Sequence, residues 1–183
     1  MELPTSLIVP RGIPGVTPLN LDMSKIYLAE SRIQETKAVT PATAPELKAT
    51  FNEAAAIVSK YIAWVKYEIN MAEKYVGLAK AEVIIDKLPE KLKELRERGI
   101  KDNADLREAL VAQDQQYQDR QNAYFALEAT KCLLEAKAKS FDRAYWDCKN
   151  SDDRHGGGYS SFPMKEGELT EPQANFMGVS QIK

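Results

Sequence analysis

The residue types best suited to metal or acid–base chemistry meet at one place in this sequence, at the end of a predicted helix. The sole histidine, His155, follows Asp152–Arg154 and precedes Gly156–Gly158. Carboxylates beside an imidazole can bind a metal ion or transfer a proton. However, one histidine without a neighbouring cysteine pair does not make a zinc site, and a polar helix end that runs into a flexible loop has the same composition. We therefore expect neither a metal ion nor a cofactor at this cluster.

Other catalytic motifs are missing from the sequence. Gly156–Gly158 lacks the Lys-Ser/Thr pair that completes a phosphate-binding loop, and no strand is predicted before it. There is no Gly-x-Ser-x-Gly motif, and neither Cys132 nor Cys148 has a histidine within its own predicted helix. Acidic pairs such as Asp102 and Asp105 suit helix caps better than a glycosidase cleft. The sequence therefore predicts a protein that is not an enzyme.

The composition predicts one folded domain with appendages. Of the 183 residues, 44% are apolar and 28% are charged, which is enough to build a core. A formal net charge of −2 gives no strong attraction to nucleic acid or to an anionic membrane. No stretch approaches the roughly 18 apolar residues of a spanning helix, and Met1–Pro4 does not begin a secretory signal. We expect a soluble protein that is made in the cytoplasm.

The two cysteines fit that expectation. Cys132 and Cys148 lie on one predicted helix, about 24 Å apart at 1.5 Å per residue, so they cannot pair with each other. We interpret both as reduced, small apolar residues of the core.

Residues 1–42 are predicted to form an extended, apolar arm. Six of the nine prolines lie in the first 45 residues, and this spacing disfavours a helix. A disordered linker would be polar, whereas this segment carries many apolar side chains. They either bind another protein or form a strand-like strip on the chain's own helices, and both can be true. The candidate partner-binding residues of the arm are Leu7, Ile8, Val9, Ile13, Val16, Leu19, Leu21, Ile26 and Tyr27.

A first long helix is predicted for residues 44–88, opened by the capping box of Thr43 and Glu46 with Pro45 in the first turn. Apolar residues recur there at intervals of three and four, which favours helix pairing. A second stripe, interrupted by Glu68 and Glu82, widens the apolar face beyond what one helix can cover. The predicted core residues of this helix are Phe51, Val58, Ile62, Val65, Ile69, Val76 and Val83. The second stripe includes Tyr61, Trp64 and Tyr75, which are further candidates for binding a partner.

Pro89 is expected to end or kink the first helix and to open a short helical tip over residues 89–98. A second long helix is predicted for residues 104–149, after the capping residues Asp102 and Asn103. A flanking stripe that includes Ala126, Leu133 and Ser140 is small, which permits close approach of another helix. The predicted core residues of the second helix are Leu110, Tyr117, Tyr124, Leu127, Leu134, Phe141 and Tyr145.

The predicted fold class is all-α: a long, antiparallel, coiled-coil-like two-helix hairpin over residues 43–150. The arm precedes it, and an irregular tail over residues 151–183 follows it. In the tail, Phe162 and Phe176 are candidates for binding a partner. A hairpin of this length leaves its second stripe in water, so we expect that stripe to be covered by the chain's own arm, by protein partners (further copies of the chain or other subunits), or by both.

Nucleic-acid binding is the alternative. Basic residues lie near aromatic ones along the second helix, an arrangement that single-strand binding proteins use. Between residues 45 and 150, however, 18 Lys/Arg balance 18 Asp/Glu, whereas non-specific affinity depends on clustered positive charge. The candidate residues for this alternative are Lys131, Lys137, Lys139, Arg143 and Lys149.

Three segments of the second helix carry a resemblance to known proteins: Lys101–Ala109, Asp114–Tyr117 and Leu133–Phe141. They resemble helical hairpin proteins of tailed bacteriophages, some of which are similar to the UvsY-type recombination mediators. The likeness spans about residues 55–149. The long apolar arm and the lack of excess basic charge depart from the mediator type.

The resemblance implies a bacteriophage virion structural or assembly protein that oligomerises or docks on a capsid, neck or tail component. Its location would then be the virion. The rival reading is an oligomeric mediator that binds single-stranded DNA in the cytoplasm, and a third is a coiled-coil adaptor of no viral origin.

Overall fold

The computed structural model describes residues 5–156, and this part of the chain is mostly helical, with one helix of 54 residues. The predicted tail lies almost wholly outside these residues, and Phe162 and Phe176 lie outside them with it. A small two-stranded sheet corrects the all-α prediction. The elements are β1 (Ser6–Val9), β2 (Leu19–Asp22), α1 (Ser24–Ser31), a 3-10 helix (Ile33–Ala38), α2 (Ala44–Glu82), a π-helical turn (Val83–Lys87), α3 (Leu88–Glu97), α4 (Ala104–Ala112) and α5 (Gln115–Gly156).

The N-terminal arm is a folded β-hairpin and not an extended strip. Strands β1 and β2 are antiparallel, with Leu7 opposite Leu21 and Val9 opposite Leu19. These four side chains are buried or half-buried, while Ile8 between them is exposed. This period of two is that of a sheet with one face on a core. The prolines lie outside the two strands, so they remove no ladder hydrogen bond.

A helix inside the predicted arm is a second correction. No proline occurs between Pro18 and Pro41, so nothing prevents α1 from forming there. Asp22 lies just before it and accepts hydrogen bonds from the Ser24 backbone N–H at 2.9 Å and from its hydroxyl at 2.6 Å. These bonds lower the pKa of Asp22. The expectation from proline count failed because the prolines cluster at the two ends of the segment.

Helices α2 and α5 pack side by side and run antiparallel. Near one end, the rings of Phe51 and Phe141 stack with centroids 6.5 Å apart. Near the other end, Gln116 Nε2 donates to Glu82 Oε2 at 3.0 Å. Early residues of α2 thus meet late residues of α5. Whether the pairing is coiled-coil-like stays a prediction.

Pro89 does not end the first long helix. The Leu88 N–H donates to the Val83 carbonyl, five residues earlier, which makes the preceding turn a π turn. In a regular helix the proline ring would collide with the carbonyl of Ile85, and the wider turn provides room. The helix therefore continues through α3 to Glu97.

The second predicted helix is two helices. Helix α4 begins after Asn103, whose Oδ1 accepts from the Leu106 N–H at 2.7 Å, as its capping role requires. It ends at Ala112, because Asp114 starts a new helix by accepting from the Tyr117 N–H at 3.2 Å. The same carboxylate bonds Lys87 Nζ at 2.7 Å, which contributes most to lowering the pKa of Asp114. Helix α5 then runs past the predicted end, and its backbone includes His155, so the expectation that neither cysteine shares a helix with a histidine is wrong.

The capping box predicted for α2 does not form. Thr43 makes no side-chain bond to the first turn; its hydroxyl accepts from the Thr40 N–H at 3.0 Å instead. Glu46 bonds Arg32 at 2.7 Å, so its side chain turns to the arm and not back to the cap. The ion pair between Glu46 and Arg32 thus forms in place of the predicted hydrogen bond between Glu46 and the helix cap.

The core of the chain combines the paired helices with the arm. Eight predicted core residues are buried: Phe51, Val58, Val65, Ile69, Val83, Leu127, Leu134 and Phe141. Six are half-buried: Ile62, Val76, Leu110, Tyr117, Tyr124 and Tyr145. Arm residues join them in one cluster: Val9, Leu21, Met23, Ile26 and Ala29. Full burial of each large one contributes about 2 kcal/mol, which offsets the entropy cost of ordering the arm and helps to hold it on the helices.

Candidate protein-binding surface

A buried carboxylate attaches the arm to α2. Glu68 is 0% exposed, and its Oε1 accepts from Arg11 Nε at 2.8 Å. Its Oε2 accepts from the Gly12 N–H at 2.7 Å. The Arg11 guanidinium carbon also lies 5.5 Å from the centroid of the Trp64 ring. We call Arg11, Gly12, Trp64 and Glu68 the arm anchor.

The absence of a side chain at Gly12 allows the arm anchor to close. A Cβ atom at this residue would lie 2.0 Å from the Glu68 carbonyl oxygen and 2.7 Å from the Ala72 nitrogen. Both atoms belong to the backbone of α2, which cannot move aside as a flexible side chain would. Gly12 is therefore required by a close approach of two backbones.

Further contacts tie the arm to both long helices. The Tyr61 hydroxyl donates to the Asp22 carbonyl at 3.0 Å. On α5, Lys137 pairs with Glu30 and lies 5.3 Å from the centroid of the Tyr27 ring. The arm thus covers the second stripe of α2 around Tyr61 and Trp64, which the sequence left without cover.

These contacts correct the assignment of partner-binding residues. Val9, Leu21 and Ile26 are buried in the chain's own core and are not accessible to a partner. Seven others are half-buried, and five of these pack against that core: Leu7, Leu19, Tyr27, Tyr61 and Trp64, while the other two are Ile13 and Tyr75. Ile8 and Val16 remain exposed. The arm is chiefly a cover for its own hairpin.

An exposed apolar surface remains on α5. Phe125 is 56% exposed and Leu133 is 45% exposed, although both lie in the middle of a long helix. Ala129, Cys132, Ala136 and Ser140 lie on the same side of the helix, and these residues are small, uncharged and exposed as well. We call this surface the outer face of α5 and define it by Phe125, Ala129, Cys132, Leu133, Ala136 and Ser140.

A second surface lies at the far end of the hairpin. An open groove of about 760 Å³ is bounded by the end of α2 with its π turn, by α4 and by the start of α5. Ile84, Leu88 and Val111 supply apolar walls, and Lys80 and Arg107 lie at its margin. Arg107 is already engaged, because it bonds Asp102 at 2.7 Å. Together with Arg96, it holds the pKa of Asp102 well below its usual range.

The basic residues of α5 do not form a free cationic surface. Lys131 bonds Glu128 at 3.2 Å within the helix, and Lys137 pairs with Glu30 of the arm. Lys139 and Arg143 are exposed, and the half-buried Lys149 lies 4.6 Å from the centroid of the Trp146 ring. Two of the five predicted nucleic-acid contacts are thus committed to acidic partners in this chain.

The two cysteines lie in different environments. Cys148 is buried, as expected of a core residue, whereas Cys132 is exposed on the outer face of α5, so that part of the expectation is wrong. Burial raises the pKa of Cys148, and the neighbouring Asp147 adds to the effect. Because the thiolate is the reactive form, these two thiols should differ in reactivity.

We predict that a maleimide dye at neutral pH labels Cys132 rapidly and Cys148 only after unfolding. Intact-protein mass spectrometry at low micromolar protein should show one adduct first and the second adduct in urea. The variant Cys132→Ser should lose the rapid phase. Equal labelling rates for both thiols in the folded protein would contradict the burial of Cys148.

The arm anchor was not predicted from the sequence, although two features of the sequence indicated it. Glu68 interrupts an otherwise apolar stripe, and a carboxylate on a buried face requires a partner. Arg11 is the first basic residue of the chain and stands alone among residues 1–24. Neither signal reveals that Gly12 must accompany them, because that follows from the approach of two distant backbones.

Among the side chains that the structure describes, those of residues 5–151 and 153, no group of three or more His, Cys, Asp or Glu is placed to hold a metal ion. The side chains of Asp152 and His155, considered above as a metal or acid–base cluster, lie outside this set. Within residues 5–156, no helix is both long and apolar enough to cross a membrane. Comparisons with protein-family models, with curated proteins and with solved structures found no match.

Proposed function

We propose that this protein is a non-catalytic assembly subunit, which acts by binding other protein subunits through its helical hairpin. The observation that carries the proposal is the outer face of α5. Large apolar side chains, Phe125 and Leu133, are exposed there in a protein whose arm is already occupied with its own core. Contiguous exposed apolar surface is characteristic of protein–protein contact.

The hairpin itself is suited to a structural role. We propose that α2 and α5 pair in a coiled-coil-like manner, with the arm as a third layer over one side. A 54-residue helix spans about 80 Å, so the hairpin can present separate surfaces at its two ends. A long pair of helices that its own arm holds together can keep two partners at a fixed distance from each other. This role requires no catalytic domain.

The resemblance to tailed-bacteriophage hairpin proteins suggests where such a subunit would act. We propose a bacteriophage virion, in which the chain docks on a capsid, neck or tail component. The tail of residues 157–183, with Phe162 and Phe176, would supply further contacts to neighbouring subunits.

The experiment that tests this role is mass spectrometry of purified phage particles produced with each of three chains. The unchanged chain should be present in several copies per particle. The doubly substituted chain Phe125→Ser/Leu133→Ser should be lost from particles, while Tyr67→Ser, a control at a 54% exposed aromatic on α2, should be retained. Absence of the unchanged chain from particles would overturn the proposed role.

A single-stranded DNA-binding mediator remains the second candidate. The observation in its favour is Trp146, which is 54% exposed beside the Lys149 ammonium, because an aromatic ring and a cation together can bind a base and its phosphate. A labelled oligonucleotide should be retained at low salt and released steeply by about 0.2 M salt if this role is correct. We expect no retention.

A further inference from the structure

We infer that the outer face of α5 binds the same face of a second copy of this chain, antiparallel and about a two-fold axis between Cys132 and Leu133. The inference rests on the proposed function, since it names one partner of the proposed assembly subunit. A two-fold axis requires a surface that is complementary to itself. Size and charge along the outer face both meet this requirement.

The outer face is continuous and uncharged over its length. Phe125, Ala129, Cys132, Ala136 and Ser140 follow one another at intervals of three and four, and Leu133 lies beside Cys132, so the six residues form one line along the helix. The line is about 24 Å long, at 1.5 Å per residue. All six residues are exposed, so the arm leaves the line open.

Large residues meet small ones in the proposed register. An axis between Cys132 and Leu133 places Phe125 of one copy opposite Ser140 of the other, and the same contact recurs at the other end. Ala129 then lies opposite Ala136, where two small side chains permit close approach of the helices. Alternation of bulky and small residues across the contact is what a dense interface requires.

Charges beside the outer face are complementary in the same register. Glu128 and Lys139 lie on one flank of the line, and the antiparallel arrangement brings Glu128 of each copy, which also bonds Lys131 of its own helix, near Lys139 of the other. The exposed Arg143 comes opposite the neutral Asn122. A parallel two-fold arrangement would instead place the two Glu128 residues on opposite sides of the contact, and likewise the two Lys139 residues, so that Glu128 and Lys139 would not pair. Charge therefore selects the antiparallel second copy.

The size of the contact indicates its strength. A line about 24 Å long on a helix about 10 Å wide presents roughly 240 Å² in projection, well under the ~800 Å² per partner of a standard interface. We expect a weak, concentration-dependent dimer with a dissociation constant of about 0.1 mM, so Cys132 is free at low micromolar protein. In an assembly, several such contacts would act together.

Cysteine cross-linking of the full chain tests the register. Mild oxidation should give a disulfide-linked dimer through Cys132, because Cys148 is buried. Cys132→Ser should abolish this dimer, and Cys148→Ala should leave it. In a Cys132→Ser background, Ala129→Cys mixed with Ala136→Cys should cross-link, whereas Ala129→Cys alone should not. Cross-linking of Ala129→Cys with itself, or no cross-linking of the mixed pair, overturns the antiparallel register.

Charge reversal tests the same contact without cysteine chemistry. In sedimentation equilibrium, Lys139→Glu should weaken the dimer roughly tenfold. The new carboxylate of each copy would lie near Glu128 of the other copy, and this repulsion would occur at both ends of the contact. The double change Glu128→Lys/Lys139→Glu should restore the dissociation constant of the unchanged chain. A monomer at 0.2 mM, or no restoration by the double change, overturns the inference.

The outcomes separate this inference from the proposed function. A chain that is found in purified particles but stays monomeric in sedimentation removes the second copy as occupant and leaves the assembly role intact. A chain that dimerises but is absent from particles removes the virion role and leaves the dimer.

Discussion

Replacing Gly12 with alanine is expected to lower the free energy of unfolding by about 3 kcal/mol and to release the arm from α2. The added Cβ would lie 2.0 Å from the Glu68 carbonyl oxygen, which no side-chain rotation can relieve. The loop must therefore lift and break the bond from Gly12 to Glu68. Urea unfolding measures the loss, and hydrogen exchange of β1, β2 and α1 measures the release.

The matched control is the same substitution at another glycine. Gly77 lies on α2, exposed, with nothing within 4 Å of an added Cβ. Gly77→Ala should therefore stabilise the protein by about 0.5–1 kcal/mol, because alanine favours the helix. If Gly12→Ala and Gly77→Ala have similar effects, the close approach at Gly12 is not real.

Replacing Glu68 with alanine is expected to cost roughly 3–5 kcal/mol, the usual loss when one partner of a buried ion pair is removed. The substitution leaves the buried Gly12 N–H without an acceptor and Arg11 without its counter-charge. Arg11→Ala should cost at least as much as Glu68→Ala. It leaves the Glu68 carboxylate, which is 0% exposed, with the Gly12 bond but without a cation, whereas Arg11 is 25% exposed and can reach water when Glu68 is removed.

A double-mutant cycle distinguishes a specific pair from general packing. Arg11→Ala/Glu68→Ala should lose less stability than the two single losses together, because neither charge is then left alone. The comparison pair is Lys25 and Glu53, which are 61% and 56% exposed, and its removal should change little. Additive losses at Arg11 and Glu68 would mean that the two side chains act independently.

The long helices were accessible from the sequence because their signal is local and repeated. Apolar residues every three or four positions, such as Phe51, Val58 and Val65, require only that the chain be helical to form one face. All fourteen predicted core residues are buried or half-buried. The cap at Asn103 could likewise be predicted, since the bond spans three residues.

The arm could be predicted only in part. Its apolar content indicated a contact with the hairpin, and its prolines obscured β1, β2 and α1. The strands have four residues each, and their pairing spans a loop whose geometry the composition does not reveal. Short strands are decided by what they pack against more than by intrinsic preference.

The candidate protein-binding surface, like the arm, could be predicted only in part. The small residues beside the α5 stripe suggested close approach of a helix, and Ala126, Leu133 and Ser140 are indeed exposed. The sequence did not decide whether the second stripe of α2, with Tyr61 and Trp64, or the flanking stripe of α5 would be covered, because both needed a partner. The arm contacts around Arg11 and Lys137 decided it.

The sequence by itself determined where the long helices of the hairpin lie and which of their faces are apolar, because both depend on the spacing of neighbouring residues. Tertiary structure alone decided that the arm closes over α2 and that the outer face of α5 stays open. It also decided that the Gly12 N–H binds the Glu68 carboxylate. Those outcomes depend on residues more than fifty positions apart, and their contact exists only once the backbones have met.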